Sequence, residues 1–342
     1  MKFVLYCNLP YSFSILKPLE DEITKRGFNS IWYVPKDILE QFPHKNSSFT
    51  SKLKDIKEYK SDVIFVAGNE VPHFLRGIKV QIFHGLAGEK KGHFRIRDYF
   101  DLYLTQGEYF TNRFNTLALK HKNFKVIETG WCKLDNLYKI TNQTTELKKS
   151  LIQKYSVKNI ILYSPTFSPS LTSGNKLLEV IKELFQNKDI LIIIKFHDKM
   201  DRYIIEKYQN LKSKNLIISE EKDITKLLQI SDLMISDTSS VVYEFTLLDK
   251  PVITLDSHSE NISWLNLKTI NNFKQEVLDI LNGLDKFKLK REDIIKCYHP
   301  YNDGNSANRM INATIEYKNL YGVPNKRNLS LLRKFKIYKN MI

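Results

Sequence analysis

The sequence predicts an α/β protein built from two doubly wound, Rossmann-like domains. The first observation is length, because 342 residues exceed what one hydrophobic core usually supports and favour two domains of about 150 residues each. The second is the alternation of short apolar runs with amphipathic helical stretches, which is typical of parallel sheets covered by helices. The third is that this alternation begins again at Asn159, after a polar stretch.

In the first half of the chain, apolar runs of strand length alternate with helical stretches such as residues 15–26. The predicted strands are residues 2–6, 30–34, 62–66, 80–83, 102–105 and 125–128. Strands and helices in this order fold into a doubly wound sheet.

The polar run Thr141–Thr145 is the predicted domain boundary, and a charged helix follows it to Tyr155. The second set of predicted strands is residues 160–163, 190–195, 216–218, 233–236 and 252–255. We therefore predict an N-terminal domain at 1–145, a C-terminal domain at 146–318 and a basic C-terminal tail at 319–342.

The strand at 233–236 runs into a polar turn and then into a helix. Asp237–Ser239 supply side-chain oxygens that can cap the helix, and apolar residues recur at helical spacing from Val241. A helix that begins in this way directs N–H groups and the positive end of its dipole at an anion, and the Ser239 and Ser240 hydroxyls add donors. Taken alone, this pattern also fits an ordinary capped helix.

Three further predicted strands end in polar residues. They lead into His84-Gly85, into Ser164-Pro165-Thr166 and into Lys195-Phe196-His197. Ligands of open α/β sheets bind at the carboxyl ends of the strands. This position makes His84 and His197 candidates for a functional site.

Composition narrows the functional classes. The net charge of +15 fits an anionic substrate, an anionic lipid or nucleic acid. The lysines are spread along the chain without an RNA- or DNA-binding motif, so we expect no nucleic acid partner.

The three cysteines have no metal-ligand spacing. No apolar stretch has the length of a membrane span, and the amino terminus reads as a strand, which predicts a cytoplasmic protein.

Seven motifs in order carry a family resemblance. They are His84-Gly85 with Lys90-Lys91-Gly92, Thr129 to Asp135, Leu162 to Phe167, Lys195 to His197, Ser236 to Ser240, Asp249 to Val252, and Asp303 to Arg309. In this order, across residues 80–315, they resemble the CDP-glycerol glycerophosphotransferase family, whose members build teichoic-acid-like and capsular polyol-phosphate polymers. The chain departs from the family pattern at Leu86-Ala87, Ser168, Asp198 and Thr238.

The resemblance implies the GT-B architecture of two facing Rossmann-like domains. It also implies a transferase that moves a polyol phosphate, glycerol phosphate being the first candidate, from a CDP-activated donor to a hydroxyl of a cell-surface glycan or lipid-linked acceptor, with release of CMP. The donor polyol, the number of units added and the acceptor stay open.

The resemblance and the chemistry of this transfer together suggest residue roles. A neutral imidazole suits proton removal near neutral pH, so His84 is the predicted general base, and His197 with Lys195 is predicted to bind the pyrophosphate or stabilise its charge. On the acceptor side we place Gly85, Lys90 and Lys91. The predicted donor contacts are Thr166, Ser239 and Ser240 for phosphate, Asp237 as the cap of the turn, and Glu244 for a ribose or glycerol hydroxyl.

Two roles stay open at this point. Arg309 either contacts phosphate or holds the last helix in place. The basic tail, in which Leu329, Leu332 and Phe335 lie among arginines and lysines, is either a solvated end or contacts an anionic membrane through these residues at the inner face of the cell membrane. The lipid-linked acceptors typical of the family favour the membrane contact. No clustered carboxylates suggest a metal, so we expect no metal or cofactor besides the CDP-activated donor.

Two alternative functions differ in class. A nucleotide-sugar glycosyltransferase or a UDP-sugar 2-epimerase uses the same fold, but commonly with Gly-Gly where this chain has Ser239-Ser240. A non-catalytic nucleotide-binding or membrane-scaffold protein would be expected to lack one or both strand-end histidines, and both are present. The fold alone does not choose among these functions.

Overall fold

The computed structural model describes residues 1–86, 93–221, 223–259, 262–324, 327, 329, 331, 334 and 335. The chain divides into two compact units, the first formed by Met1–Asn136 with Cys297–Ile342 and the second by Leu137–Lys296. Each unit contains one parallel sheet, so the predicted α/β class with two Rossmann-like sheets is confirmed.

The sheet of the first unit has the strand order β3-β2-β1-β4-β5-β6-β7, with every pair parallel. Its strands are β1 (Lys2–Tyr6), β2 (Asn29–Tyr33), β3 (Phe49–Thr50), β4 (Val63–Val66), β5 (Ile78–Gln81), β6 (Leu102–Thr105) and β7 (Lys125–Glu128). The chain leaves β1 towards β2 and β3 and then returns to β4. The strand order therefore reverses between β1 and β4, which is where such sheets bind ligands.

The sheet of the second unit has the order β10-β9-β8-β11-β12-β13 and is also parallel throughout. Its strands are β8 (Asn159–Tyr163), β9 (Ile190–Ile194), β10 (Leu216–Ile218), β11 (Leu233–Ser236), β12 (Val252–Leu255) and β13 (Leu265–Leu267). All residues of β9 and β11 are buried. Such uninterrupted apolar strands are expected where helices cover both faces of a parallel sheet.

The helices follow the amphipathic stretches. They are α1 (Ser12–Lys25), α2 (Leu53–Tyr59), α3 (Glu108–His121), α4 (Asp135–Tyr138), α5 (Asn142–Tyr155), α6 (Leu178–Leu184), α7 (Arg202–Gln209), α8 (Thr225–Ile230), α9 (Val241–Thr246), α10 (Phe273–Leu281), α11 (Lys288–Tyr298) and α12 (Ser306–Tyr321). Short 3₁₀ turns occur at Lys36–Gln41 and Cys132–Leu134. No helix in the described part of the chain is both long and apolar enough to cross a membrane.

The compact units differ from the predicted domain boundaries in two places. The polar run taken as a boundary begins α5, where the Thr141 hydroxyl accepts a hydrogen bond from the Thr144 N–H. More importantly, α12 belongs to the first unit and not to the second. The buried Asp135 carboxylate caps α12 by accepting hydrogen bonds from the Ser306 and Ala307 N–H groups, at 2.8 and 2.7 Å.

The start of the C-terminal tail also packs on the first unit. Leu329 is buried in its hydrophobic core, and the Arg327 guanidinium pairs with the buried Asp101 carboxylate and donates to the Gly77 carbonyl. The prediction that Leu329 faces a membrane was therefore wrong. Leu332 and the basic residues Lys326, Arg333, Lys336 and Lys339 lie outside the described residues.

Candidate functional site

The first candidate site lies at the carboxyl ends of β1, β4, β5 and β6 in the first unit, and we call it the His84 edge. It consists of Asn8, Tyr11, Gly68, His84 and Gln106. Each of these residues comes one to five positions after its strand ends. The parallel strands bring them together at the point where the strand order reverses.

The His84 ring is exposed, and its orientation is set by the backbone of the neighbouring strand. Its Nδ1 lies 3.3 Å from the carbonyl oxygen of Ala67. Because a carbonyl only accepts, this contact places a proton on Nδ1, and the neutral ring then carries its lone pair on Nε2. A lone pair is what a general base needs.

The other residues of the edge surround this ring. The Tyr11 and His84 rings have centroids 5.2 Å apart, and the Gln106 amide donates to the Gly85 carbonyl at 3.3 Å, which fixes the turn after His84. Gly85 has open space where a side chain would begin. Lys90 and Lys91, the other predicted acceptor-side residues, lie outside the described residues.

The second candidate site lies at the carboxyl ends of β8, β9 and β11 in the second unit, and we call it the Asp237 edge. At its centre the fully buried Asp237 carboxylate accepts three hydrogen bonds, from the Thr166 N–H at 2.9 Å and from the N–H and hydroxyl of Ser173 at 2.7 Å each. Burial raises the pKa of Asp237, while these hydrogen bonds oppose the shift.

This geometry corrects the role predicted for Asp237. Helix α9 begins after Ser240 without a side-chain cap, because the Asp237 carboxylate is turned towards the loop after β8. Asp237 therefore joins the ends of β8 and β11. Thr166 is held by this contact at the edge, half-buried.

The His197 ring is exposed at the end of β9 and has the opposite proton arrangement to that of His84. Its Nδ1 accepts a hydrogen bond from the Lys199 N–H at 3.1 Å, so the neutral ring carries its proton on Nε2. Partial burial lowers the pKa of His197, Asp198 raises it, and the two neighbouring lysines lower it again. The ring thus presents an N–H donor that suits a phosphate oxygen.

Other predicted donor contacts lie at the same edge. Lys195 is largely buried, and its ammonium donates to the Phe196 carbonyl at 2.9 Å. Ser239 is half-buried and Ser240 exposed, directly before α9, while Glu244 lies half-buried within that helix. The structure thus brings Thr166, Lys195, His197, Ser239 and Ser240 to the carboxyl ends of one sheet.

Arg309 does not belong to this group. It lies in the first unit, where its guanidinium donates to the Thr129 carbonyl at 2.8 Å and to both oxygens of Asp303 at 2.8 and 3.1 Å. It also packs 4.2 Å from the Tyr301 ring centroid. Of the two open roles, this geometry favours the one in which Arg309 holds the last helix in place.

His299 holds the chain segment around Gly130 and Trp131, next to Arg309. It is fully buried, its Nε2 accepts from the Trp131 N–H at 2.9 Å, and burial with Arg309 nearby lowers its pKa to about 3. A side chain at Gly130, whose φ is +79°, would begin 2.5 Å from the Ser306 hydroxyl and 3.1 Å from the His299 ring. The motifs Thr129 to Asp135 and Asp303 to Arg309 therefore form one structural joint.

Sequence reasoning missed four residues of the His84 edge, Asn8, Tyr11, Gly68 and Gln106. They follow strands that were predicted to end at residues 6, 66 and 105, so the general rule that ligands bind at strand ends could have singled them out. Within the described residues, no group of three His, Cys, Asp or Glu side chains has a geometry that could hold a metal ion.

Comparison with known families gives a direct result. The sequence profile of the CDP-glycerol:poly(glycerophosphate) glycerophosphotransferases matches residues 80–263, which is more than half of the chain. The chain belongs to this family. It is 28% identical over 202 residues to a teichoic acid glycerol-phosphate primase of Bacillus spizizenii, covering 54% of this chain and 50% of that protein. The chain thus spans about half the length of this curated relative.

Solved structures share the fold. The wall teichoic acid polymerase TagF, in a variant soaked with CDPG, has a TM-score of 0.65 at 14% identity, covering 92% of this chain and 88% of that one. A UDP-N-acetylglucosamine 2-epimerase has a TM-score of 0.62 at 15% identity, covering 96% and 98%. These similarities establish the GT-B fold class of this chain. They do not distinguish the transfer of a polyol phosphate from the epimerisation of a UDP-sugar, because both structures share the fold.

Proposed function

We propose that this family member transfers a polyol phosphate, with glycerol phosphate as the first candidate, from a CDP-activated donor to an acceptor hydroxyl and releases CMP. The family match supports the donor class. The relative named as a glycerol-phosphate primase and the TagF structure soaked with CDPG support it further. The acceptor is a hydroxyl of a cell-envelope glycan or a lipid-linked chain.

The observation that carries this proposal is the His84 ring. With Nδ1–H directed to the Ala67 carbonyl, Nε2 takes the proton of the acceptor hydroxyl while its oxygen attacks the outer phosphorus of the donor. The bond from that phosphorus to the bridging oxygen breaks, and CMP leaves with the electron pair. The imidazolium is then stabilised by its hydrogen bond to the carbonyl.

The Asp237 edge is proposed to bind the donor. Its donors are the Nε2–H of His197, the Lys195 ammonium and the hydroxyls of Ser239, Ser240 and Thr166. Each hydrogen bond from such a group to a charged phosphate oxygen is worth about 1.5–3 kcal/mol. Asp237 contributes by holding the loop that carries Thr166, and Glu244 is proposed for a donor hydroxyl. These fixed groups donate hydrogen bonds to the pyrophosphate, and Lys195 adds a positive charge; we propose no resident cofactor.

Incubation of the purified chain with CDP-glycerol, CDP-ribitol and UDP-N-acetylglucosamine tests this function. We expect CMP release from a CDP-polyol that increases with an acceptor, and its loss in His84→Gln. UDP release or epimerisation in the absence of any CDP-polyol turnover would contradict the proposal and favour the alternative that the fold also accommodates.

We also propose that the chain works in the cytoplasm, at the inner face of the cell membrane, through its C-terminal tail. Leu331 and Phe335 are 82% and 69% exposed, and they lie in a stretch rich in lysine and arginine. In an interfacial segment, apolar side chains insert into the membrane surface, and the lysines and arginines around them are attracted to anionic lipid headgroups. Arg327 and Leu329 anchor the start of this stretch to the first unit.

The anchor decides how the membrane contact is tested. Truncation before Arg327 would also remove buried Leu329, so the double substitution Leu331→Ser and Phe335→Ser is the cleaner change. We expect it to weaken binding to liposomes that contain phosphatidylglycerol, and added salt should weaken binding of the unaltered chain over a screening length of about 10 Å at 0.1 M. Equal liposome binding by both proteins would contradict a contact through this tail.

A further inference from the structure

The loop after β1 carries a neutral hydrogen-bonding cluster for which the fold gives no structural reason. The Asn8 carboxamide oxygen is buried and has no hydrogen-bond partner within the described residues. An unsatisfied buried polar atom costs about 1–3 kcal/mol, so native structures rarely keep one without a purpose. Asn8 therefore has an acceptor atom that the hydroxyl group of a bound ligand would satisfy.

Three chain segments converge at this point. An ideal Cβ on Gly68, which follows β4, would lie 2.8 Å from the Asn8 Oδ1 and 3.4 Å from the Tyr11 hydroxyl. The Tyr11 ring, 38% exposed, lies against His84 with centroids 5.2 Å apart. Asn8, Tyr11 and His84 thus meet over a residue without a side chain, at the reversal point between β1 and β4.

The chemistry of the cluster indicates what it binds. A carboxamide and a phenol each donate and accept, as the hydroxyl groups of a polyol do. Neither side chain is charged, so this part of the edge matches neutral hydroxyls better than phosphate oxygens, which seek cations or charge-assisted donors.

We propose that Asn8 and Tyr11 form the acceptor subsite, in which they bind the hydroxyl-bearing end of the acceptor and hold the attacking oxygen at Nε2 of His84. This inference rests on the proposed function and adds the residues that select and orient the acceptor. Gly68 is required because a side chain there would occupy the space of the Asn8 carboxamide.

The test uses the full chain with CDP-glycerol and, as acceptor probe, a glycerol phosphate ester with a short alkyl chain. In Asn8→Ala and Tyr11→Phe, the KM for this acceptor should rise roughly 2- to 12-fold, as expected for a lost hydrogen bond. Hydrolysis of CDP-glycerol by water, measured without acceptor, should fall less than transfer because water does not need the subsite. Asn115→Ala, on the exposed face of α3, is the matched control and should change neither rate.

Gly68→Ala separates a specific role from general damage. The added methyl group should displace the Asn8 side chain and raise the acceptor KM in the unaltered background. In the Asn8→Ala background it should add nothing, because the group it displaces is already absent. Independent, multiplying effects of the two substitutions would overturn the proposed contact, as would equal losses of transfer and of donor hydrolysis.

A binding measurement keeps this inference distinct from the proposed function. If the unaltered chain does not turn over CDP-glycerol, the proposed function fails, but calorimetric binding of the acceptor probe that weakens in Asn8→Ala and Tyr11→Phe still supports the subsite. If turnover is normal and both variants retain the wild-type acceptor KM, the subsite is wrong while the function stands.

Discussion

The His84 edge and the Asp237 edge occupy the same place in their sheets but present opposite chemistry. Each has an exposed histidine a few residues after a strand. At His84 the backbone offers a carbonyl to Nδ1, and at His197 it offers an N–H. The His84 imidazole therefore presents a lone pair on Nε2, and the His197 imidazole presents a proton there. A histidine at the same position after a strand can thus serve as a base in one unit and as a hydrogen-bond donor to an anion in the other.

The buried titratable groups that support strand ends also differ between the two units. The Asp237 edge is held by a buried carboxylate that gathers two N–H groups and a hydroxyl. In the first unit the end of β7 is held by the neutral His299, which accepts the Trp131 N–H. Burial disfavours the charged form of both groups: it raises the pKa of Asp237, against the opposing effect of its hydrogen bonds, and it lowers the pKa of His299.

Replacing each histidine by glutamine should separate the two edges, and the largest effect is expected on kcat at His84. Because glutamine cannot accept and release a proton as imidazole does, His84→Gln should lower kcat roughly 10²- to 10⁴-fold. Donor affinity, measured by calorimetry with CDP-glycerol, should not change. A variant that turns over near the wild-type rate would remove His84 as the base.

Asp237→Ala should destabilise the second unit by about 3 kcal/mol or more, since it leaves the buried Ser173 N–H and hydroxyl and the half-buried Thr166 N–H without this acceptor. Urea unfolding measures this loss. Asp237→Asn keeps one carbonyl oxygen and serves as the matched control with a smaller effect. If both variants unfold like the unaltered chain, Asp237 does not hold the β8 and β11 ends together.

Acid should affect the two supports with opposite sign. The pKa of His299 is lowered to about 3 from 6.5, so its contribution to stability is complete above pH 6.5 and is lost as the pH falls, by about 2 kcal/mol at pH 5. The pKa of Asp237 is raised, so its ionised form costs stability, and this cost disappears as the pH falls through the folded-state pKa.

The pH dependence is isolated by comparing urea unfolding at pH 7.5 and 5 in the unaltered chain and in His299→Gln. The variant is needed because burial also lowers the pKa of His93, to about 4, so that protonation of His93 destabilises the folded chain in the same direction. We expect His299→Gln to lose about 2 kcal/mol of the acid sensitivity. An unchanged pH dependence would mean that His299 is not held neutral in the folded state.

At His197 the effect should be smaller and should depend on the replacement. His197→Ala removes an N–H donor to phosphate and should weaken CDP-glycerol binding by about 1.5–3 kcal/mol. His197→Gln places an amide N–H in similar reach and should retain most of the affinity. Calorimetry that finds glutamine as damaging as alanine would show that His197 acts by something other than N–H donation.

Much of the architecture follows from local sequence. The strands β4 and β9 are uninterrupted apolar runs, and β1, β6, β7, β10, β11 and β12 have the predicted bounds. Such runs reflect burial on both faces of the sheet, which the sequence shows directly. The short strands β3 and β13 were not predicted, because two- and three-residue strands carry too little pattern to stand out from loops.

The sequence by itself determined the α/β class, the family and the strand ends at which His84 and His197 lie, because each depends on neighbouring residues. Only the tertiary structure decided the unit to which α12 belongs, since its capping residue Asp135 lies 171 positions before Ser306. The structure likewise placed Arg309 in the first unit and buried Leu329. It also decided which nitrogen of each histidine carries the proton, because that depends on a hydrogen-bond partner that only folding brings near.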